Sequence, residues 1–177
     1  MISIKDDIKI AGVQDDSIVD GPGLRMTIFF QGCPRACEGC HNPESIDFDS
    51  GEFSSVERLA ERIDNNPLLQ GITFSGGEPL SRAKAILPLA EEIIKRNLEL
   101  AIYTGYTLEE ILEDGDKYVL ELLEKSSILI DGPFEMDQKS LTIPFRGSYN
   151  QRILDSRESV RNKKAIITSS ASWLYEV

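Results

Sequence analysis

The chain has 177 residues, of which 41% are apolar and 28% charged, the proportions of a globular domain with enough chain to bury a core. Its 19 basic and 30 acidic residues leave a formal charge of −11, which repels phosphate backbones and excludes nucleic-acid binding as a main role. No apolar run approaches the ~20 residues that span a bilayer, and the acidic start Met1–Asp7 has no signal-peptide core, so a cytoplasmic protein without a membrane partner is expected.

Arg25–Gln31 is short, apolar and bounded by Gly23 and Gly32, and reads as a buried strand. Ser54 with Glu57 has the spacing of a capping box, after which Val56, Leu59 and Ile63 line one face of a helix. Gly71–Ser75 is a second strand. Ile86, Ala90 and Ile93, with Leu87 and Ile94 beside them, form the apolar face of a second helix that Pro88 should start or kink. Leu98–Tyr103 is a third strand. Thr107 with Glu110 is a capping box opening a short helix, and Asp116 caps another through about Leu122. Ser127–Ile130 is a fourth strand. From Asp131 to about Arg157 the pattern is irregular, with Pro133, Pro144 and Gly147, and Lys164–Thr168 reads as a last strand.

Strand and helix alternate about every 30 residues, the pattern of parallel β–α units with right-handed crossovers. A closed eight-unit barrel takes ~250 residues, so the expected fold is α/β, with parallel β–α units forming an open partial TIM-like barrel. One domain over residues 1–177 is expected, its core at about 17–155. The conspicuous segments each follow a strand: the cysteine run, Gly76-Gly77-Glu78-Pro79, Thr104-Gly105-Tyr106 and Asp131-Gly132-Pro133-Phe134. In parallel α/β folds ligands bind at the carboxyl ends of the strands, so these four loops should converge on one rim.

The chain's three cysteines, Cys33, Cys37 and Cys40, have the spacing C-x3-C-x2-C. An odd, clustered set is a poor disulfide framework and points to metal or redox chemistry in a reducing compartment. Thiolates are the usual ligands of iron–sulfur clusters. One compact loop can wrap three of them around a cube, and no fourth cysteine is present for the remaining iron. Gly32 and Gly39 let the backbone approach closely. A structural zinc site needs a fourth ligand, and the one histidine, His41, adjoins Cys40, where it would serve the same tetrahedral ion poorly. A closed electron-transfer cluster also lacks its fourth ligand, and a cysteine nucleophile paired with His41 leaves two cysteines without a task.

The cysteine loop after a first strand resembles the radical S-adenosylmethionine (SAM) enzymes. Ser17–Arg25 before it, Cys40–Glu44 after it and Ser75–Leu80 resemble the glycyl-radical-enzyme activases. Tyr103–Tyr106, Asp131–Phe134 and Phe145–Gln151 are similar to the branch whose partner is anaerobic ribonucleotide reductase, and the likeness runs from about Ser17 to Asp155. It implies a 4Fe–4S cluster with three irons on Cys33, Cys37 and Cys40, and SAM on the fourth iron through its amino and carboxylate groups. One electron, from a flavodoxin- or ferredoxin-type donor, then cleaves SAM into methionine and a 5′-deoxyadenosyl radical. That radical takes a hydrogen atom from a backbone glycine of the large glycyl radical enzyme.

The resemblance also implies that Gly76, Gly77 and Glu78 bind the amino-acid end of SAM, glycines permitting close approach and a carboxylate accepting from the ammonium. The plainer reading is a tight strand-to-helix turn. Thr104 and Asp131 end the next two strands and by position reach the ribose or methionine part of SAM; Asp131 could equally start a turn. Many radical SAM enzymes carry an aromatic residue just before the third cysteine, near the adenine. Gly39 stands there instead, which leaves His41 or backbone to cover it. Arg146 and Asn150 serve partner docking, closure over SAM, or loop packing. Tyr106, Trp173 and Phe29-Phe30 read as packing. The rival readings are an activase of the pyruvate formate-lyase type, a small-molecule radical SAM enzyme, an iron–sulfur electron-transfer module and a zinc-stabilised interaction protein.

Overall fold

The computed structural model describes residues 8–175; the acidic start read above lies outside them. One seven-stranded sheet runs in the order β3-β1-β2-β4-β5-β6-β7. Its centre is β2 (Arg25–Phe30), β4 (Gly71–Gly76), β5 (Glu99–Tyr103) and β6 (Ile128–Asp131), all parallel. β1 (Ile8–Ser17), β3 (Glu52–Ser54) and β7 (Arg152–Asp155) flank it in antiparallel pairings. The fold is thus mixed α/β with a parallel core. β1 and β7 escaped sequence reading because they alternate weakly: β1 carries Gln14, Asp15 and Asp16, and β7 is only four residues long.

The pleat explains how the sheet serves two purposes. Successive side chains point to opposite faces. Met26, Ile28, Phe30, Ile72, Phe74, Leu100, Ile102, Leu129 and Leu154 enter the main core, beneath the helices α1 (Val56–Asp64), α2 (Ala83–Lys95) and α4 (Lys117–Lys125). Their alternates are smaller or more polar at the centre: Thr27, Thr73, Ser75 and Ala101. On that second face Ala101, Ile128, Ile130 and Ile153 form a separate small cluster with Trp173, and Tyr103 and Phe145 lie against it.

Several boundaries differ from the sequence reading. The cap of α1 is Ser55, whose hydroxyl accepts from the Arg58 N–H at 3.3 Å; Ser54 is instead the last residue of β3. α2 begins at Ala83 and runs through Pro88. Pro88 and Lys84, whose carbonyl a proline cannot serve, both sit on the exposed side, while Ala83, Ile86, Leu89, Ala90 and Ile93 are buried on the other. The Thr107–Glu110 capping box of α3 (Leu108–Asp114) and the Asp116 cap of α4 form as read. The irregular stretch contains β7 and the start of α5 (Ser156–Asn162). Lys164–Thr168 is not a strand: Ile167 makes an isolated bridge to Leu154. The chain then closes with α6 (Ala171–Leu174). No helix among the described residues is long and apolar enough to cross a membrane.

Candidate active site

The loops after β2, β4, β5 and β6 share one edge of the sheet and line a cavity of about 760 Å³. Cys33, Cys37, Cys40, His41, Gly76, Gly77, Glu78 and Thr104 all line it. Of the sequence-derived site residues only Gly39 and Asp131 do not.

The cysteine loop is pinched shut at its base. Gly32 and Cys33 donate their N–H groups to the Ser45 and Ile46 carbonyls at 2.8 and 3.0 Å. The buried Gln31 amide donates to the Glu44 and Asp47 carbonyls. All three thiols are free and half-buried, and burial pushes the Cys33 thiol up from its ordinary value. Among the described residues no three His, Cys, Asp or Glu side chains are gathered for a single metal ion. An iron–sulfur cube spreads its ligands over separate irons and makes no such demand.

The second loop docks directly on the first. Gly77 donates to the Phe30 carbonyl and Glu78 to the Gly32 carbonyl, at 2.8 and 2.9 Å. A Cβ at Gly77 would meet the Gly32 carbonyl oxygen at 2.4 Å and the Ser45 oxygen at 2.8 Å. Gly76 has φ +96° and lies against the backbone of Phe29 and Phe30. Both glycines are therefore required by the fit of one loop on the other, whatever occupies the cavity.

Glu78 is 1% exposed, and its carboxylate accepts three hydrogen bonds: from Leu80 N–H (3.1 Å), Thr104 Oγ1 (2.9 Å) and Gly105 N–H (2.8 Å). Burial raises its pKa from 4.5 to about 7, against the lowering effect of these donors. Glu78 and Thr104 are thus partners, joining the β4 and β5 loops. Asp131 works on the same segment from behind. Its fully buried carboxylate accepts from Leu108 N–H at 2.8 Å and pairs with Arg152. Glu110 completes the set: one carboxylate oxygen accepts from Thr107 N–H at 2.7 Å and the other from Arg35 at 3.1 Å. Three carboxylates from different parts of the chain so fix the backbone from Gly105 to Leu108. Arg35, between the first two cysteines, also lies over the Tyr106 ring at 4.8 Å. It ties the cysteine loop to this segment, a role sequence reasoning missed.

The β6–β7 loop closes the far side. A Cβ at Gly39 would sit 1.9 Å from Met136 Cε, so this loop occupies the space beside the third cysteine. His41 stacks on Phe134 at 4.7 Å. Arg146 lines the cavity and donates to the Gln151 carbonyl, while its buried Nε has no partner. Asn150 donates to the Pro133 carbonyl at 2.7 Å and does not line the cavity; its buried Oδ1 is also without a partner.

Residues 19–154 match the family model described as a 4Fe-4S single cluster domain. The anaerobic ribonucleoside-triphosphate reductase-activating protein of Pasteurella multocida (strain Pm70) is 35% identical over 144 residues, covering 77% of this chain and 90% of its own. Its namesake in Escherichia coli (strain K12) is 34% identical over 142 residues, 76% and 90% of the two chains. That of Enterobacteria phage T4 is 31% identical over 149 residues, 80% and 90%. The chain belongs to this family of anaerobic ribonucleoside-triphosphate reductase-activating proteins. Membership accounts for the cysteine spacing and for the segments from Ser17 to Gln151 that carry the resemblance. QueE from Escherichia coli aligns with 56% of this chain and 53% of its own at 21% identity, with a TM-score of 0.46.

Proposed function

We propose that this chain is a radical SAM activase that cleaves SAM reductively at a 4Fe–4S cluster and installs a glycyl radical on anaerobic ribonucleoside-triphosphate reductase. One observation carries the proposal: in a chain of this family, the three cysteines line the same cavity as the Gly76–Glu78 loop. The donor set suits such a cluster. Three soft thiol ligands stand on one pinched loop, and the cavity lies within the roughly 300–1,000 Å³ of small-molecule sites.

A bound cluster would supply the one electron for reductive cleavage of SAM, the radical chemistry that hydrogen abstraction from a glycine of the partner requires. The protein's own residues bind and orient. Cys33, Cys37 and Cys40 would hold three of the irons. Gly76 and Gly77 bring backbone to the amino-acid end of SAM. Glu78 acts from beneath by fixing Thr104 and Gly105, and the one lone-pair site left on its Oε2 remains for the ammonium. His41, stacked on Phe134 and lining the cavity, covers the adenine. Asp131 positions the β5–α3 backbone and does not touch ligand.

The sheet is an open partial barrel of a single domain spanning the chain, the electron donor is a flavodoxin or ferredoxin, and the setting is cytoplasmic with neither nucleic acid nor membrane as partner. The test is anaerobic reconstitution with iron and sulfide, a reductant and SAM. 5′-Deoxyadenosine should accumulate; iron-loaded protein that releases none would refute the proposal.

A further inference from the structure

We propose that Trp173 is a positioning residue for the cavity, holding two sides of its wall in place from below. The inference rests on the functional reading above for its ligand but on contacts alone for its geometry. Trp173 lies beyond the family-matched residues, which end at 154, yet it is fully buried on the second face of the sheet.

One set of contacts runs to the β6–β7 loop. The Trp173 ring meets Phe145 edge-on at 5.2 Å. Phe145 holds a left-handed φ of +54°, unusual for an aromatic residue. Its carbonyl accepts from Tyr103 Oη at 2.7 Å. The next residue is Arg146, which lines the cavity and whose buried Nε has no partner. Gly147 and Ser148 then both donate to Gln151 Oε1, at 2.8 and 3.3 Å. In this turn the Arg146 Nε and the Asn150 Oδ1 are left without partners, and of these two residues Arg146 is the one that lines the cavity.

The other set runs to the Asp20–Gly23 turn. Trp173 Nε1 donates to Glu99 at 3.0 Å, and the same oxygen accepts from Arg25 at 2.8 Å. The buried Arg25 guanidinium lies over the indole at 5.2 Å and donates to Thr73 Oγ1, which donates in turn to the Asp20 carbonyl. The Asp20 carboxylate accepts from Ser17 and Thr27. A Cβ at Gly21 would strike the Trp173 ring at 2.6 Å and Arg25 Cδ at 2.7 Å. The first glycine of this motif is therefore there for Trp173 and Arg25. Ser17, Ile18, Val19 and Asp20 line the same cavity as Arg146.

The experiment compares wild type, Trp173→Ala, Arg146→Gln and the double variant, each as the reconstituted full chain, by hydrogen exchange and by equilibrium dialysis of SAM. In Trp173→Ala, exchange should quicken in 141–151 and 17–24 and stay unchanged in the cysteine loop, 31–47. Iron content should hold and the SAM Kd should rise about tenfold. The loss caused by Arg146→Gln should shrink in the Trp173→Ala background, a non-additivity that a merely structural defect would not give. Wild-type exchange and affinity in Trp173→Ala, uniform quickening across the chain, or strict additivity would each overturn the proposal. If Trp173→Ala does not fold, Trp173→Leu carries the same expectations. A wild-type chain that ignores SAM would contradict the function above, and the exchange data would still decide the role of Trp173.

Discussion

Glu78 joins the β4 and β5 loops of the site, and its charge has a cost. A carboxyl whose folded pKa is raised from 4.5 to about 7 holds its proton more tightly when folded. Its stabilising effect is therefore complete below pH 4.5 and is lost as pH rises through 7, about 3 kcal/mol in all. Urea unfolding of the cluster-free chain at pH 5 and pH 8 should show wild type losing stability with rising pH by more than Glu78→Gln does; parallel losses would mean that Glu78 does not titrate in this range. Motif reading pointed to Glu78 and the glycines before it as ligand contacts. It could not see that Gly77 is demanded by the Gly32 carbonyl, or that Glu78 and Thr104 bond one another, because both facts depend on two loops meeting across the sheet. At Asp131 the strand-end position was legible, but its partners Leu108 and Arg152 were not, since they come from other elements.

At the scale of elements, strong periodicity and local capping were readable, and geometry shared between elements was not. The Thr107–Glu110 box and the Asp116 cap depend on neighbours within a single turn and form where the sequence puts them. The cap of α1 fell one residue off because Ser54 and Ser55 offer the same hydroxyl, and pairing of Ser54 with Ile8 in the sheet decides between them. Ser55→Ala should cost about 1 kcal/mol in unfolding free energy, whereas Ser54→Ala should leave the helix N-terminus capped; thermal or urea unfolding separates the two. The cysteine loop makes a sharper case. Its base is fixed by hydrogen bonds and its middle by Arg35 on Glu110 and Tyr106. Arg35→Ala should leave α3 capped, since Glu110 keeps Thr107, but should speed loss of iron from the reconstituted protein in air, read by the decay of the cluster's visible absorbance. An unchanged decay would show that the base alone suffices.

For the whole molecule, alternating polarity of the central strands divides the sheet into a face sealed under the helices and a second face with small central residues over the Trp173 cluster, and the cavity lies at the edge where Phe29, Ser75 and Tyr103 meet the loops. The parallel core and its rim of loops were legible from the strand–helix rhythm; the antiparallel flanks and the Trp173 floor were not, since they come from weakly patterned segments at both ends of the chain. Replacing any one of Cys33, Cys37 or Cys40 by Ala should abolish the cluster's absorbance and SAM cleavage together while leaving far-ultraviolet circular dichroism unchanged. The most direct measurement mixes the reduced, SAM-loaded chain with anaerobic ribonucleoside-triphosphate reductase and records electron paramagnetic resonance. A glycyl radical signal that requires SAM and all three cysteines is the predicted result. A fully loaded, reduced chain that leaves the reductase without that signal would contradict the account.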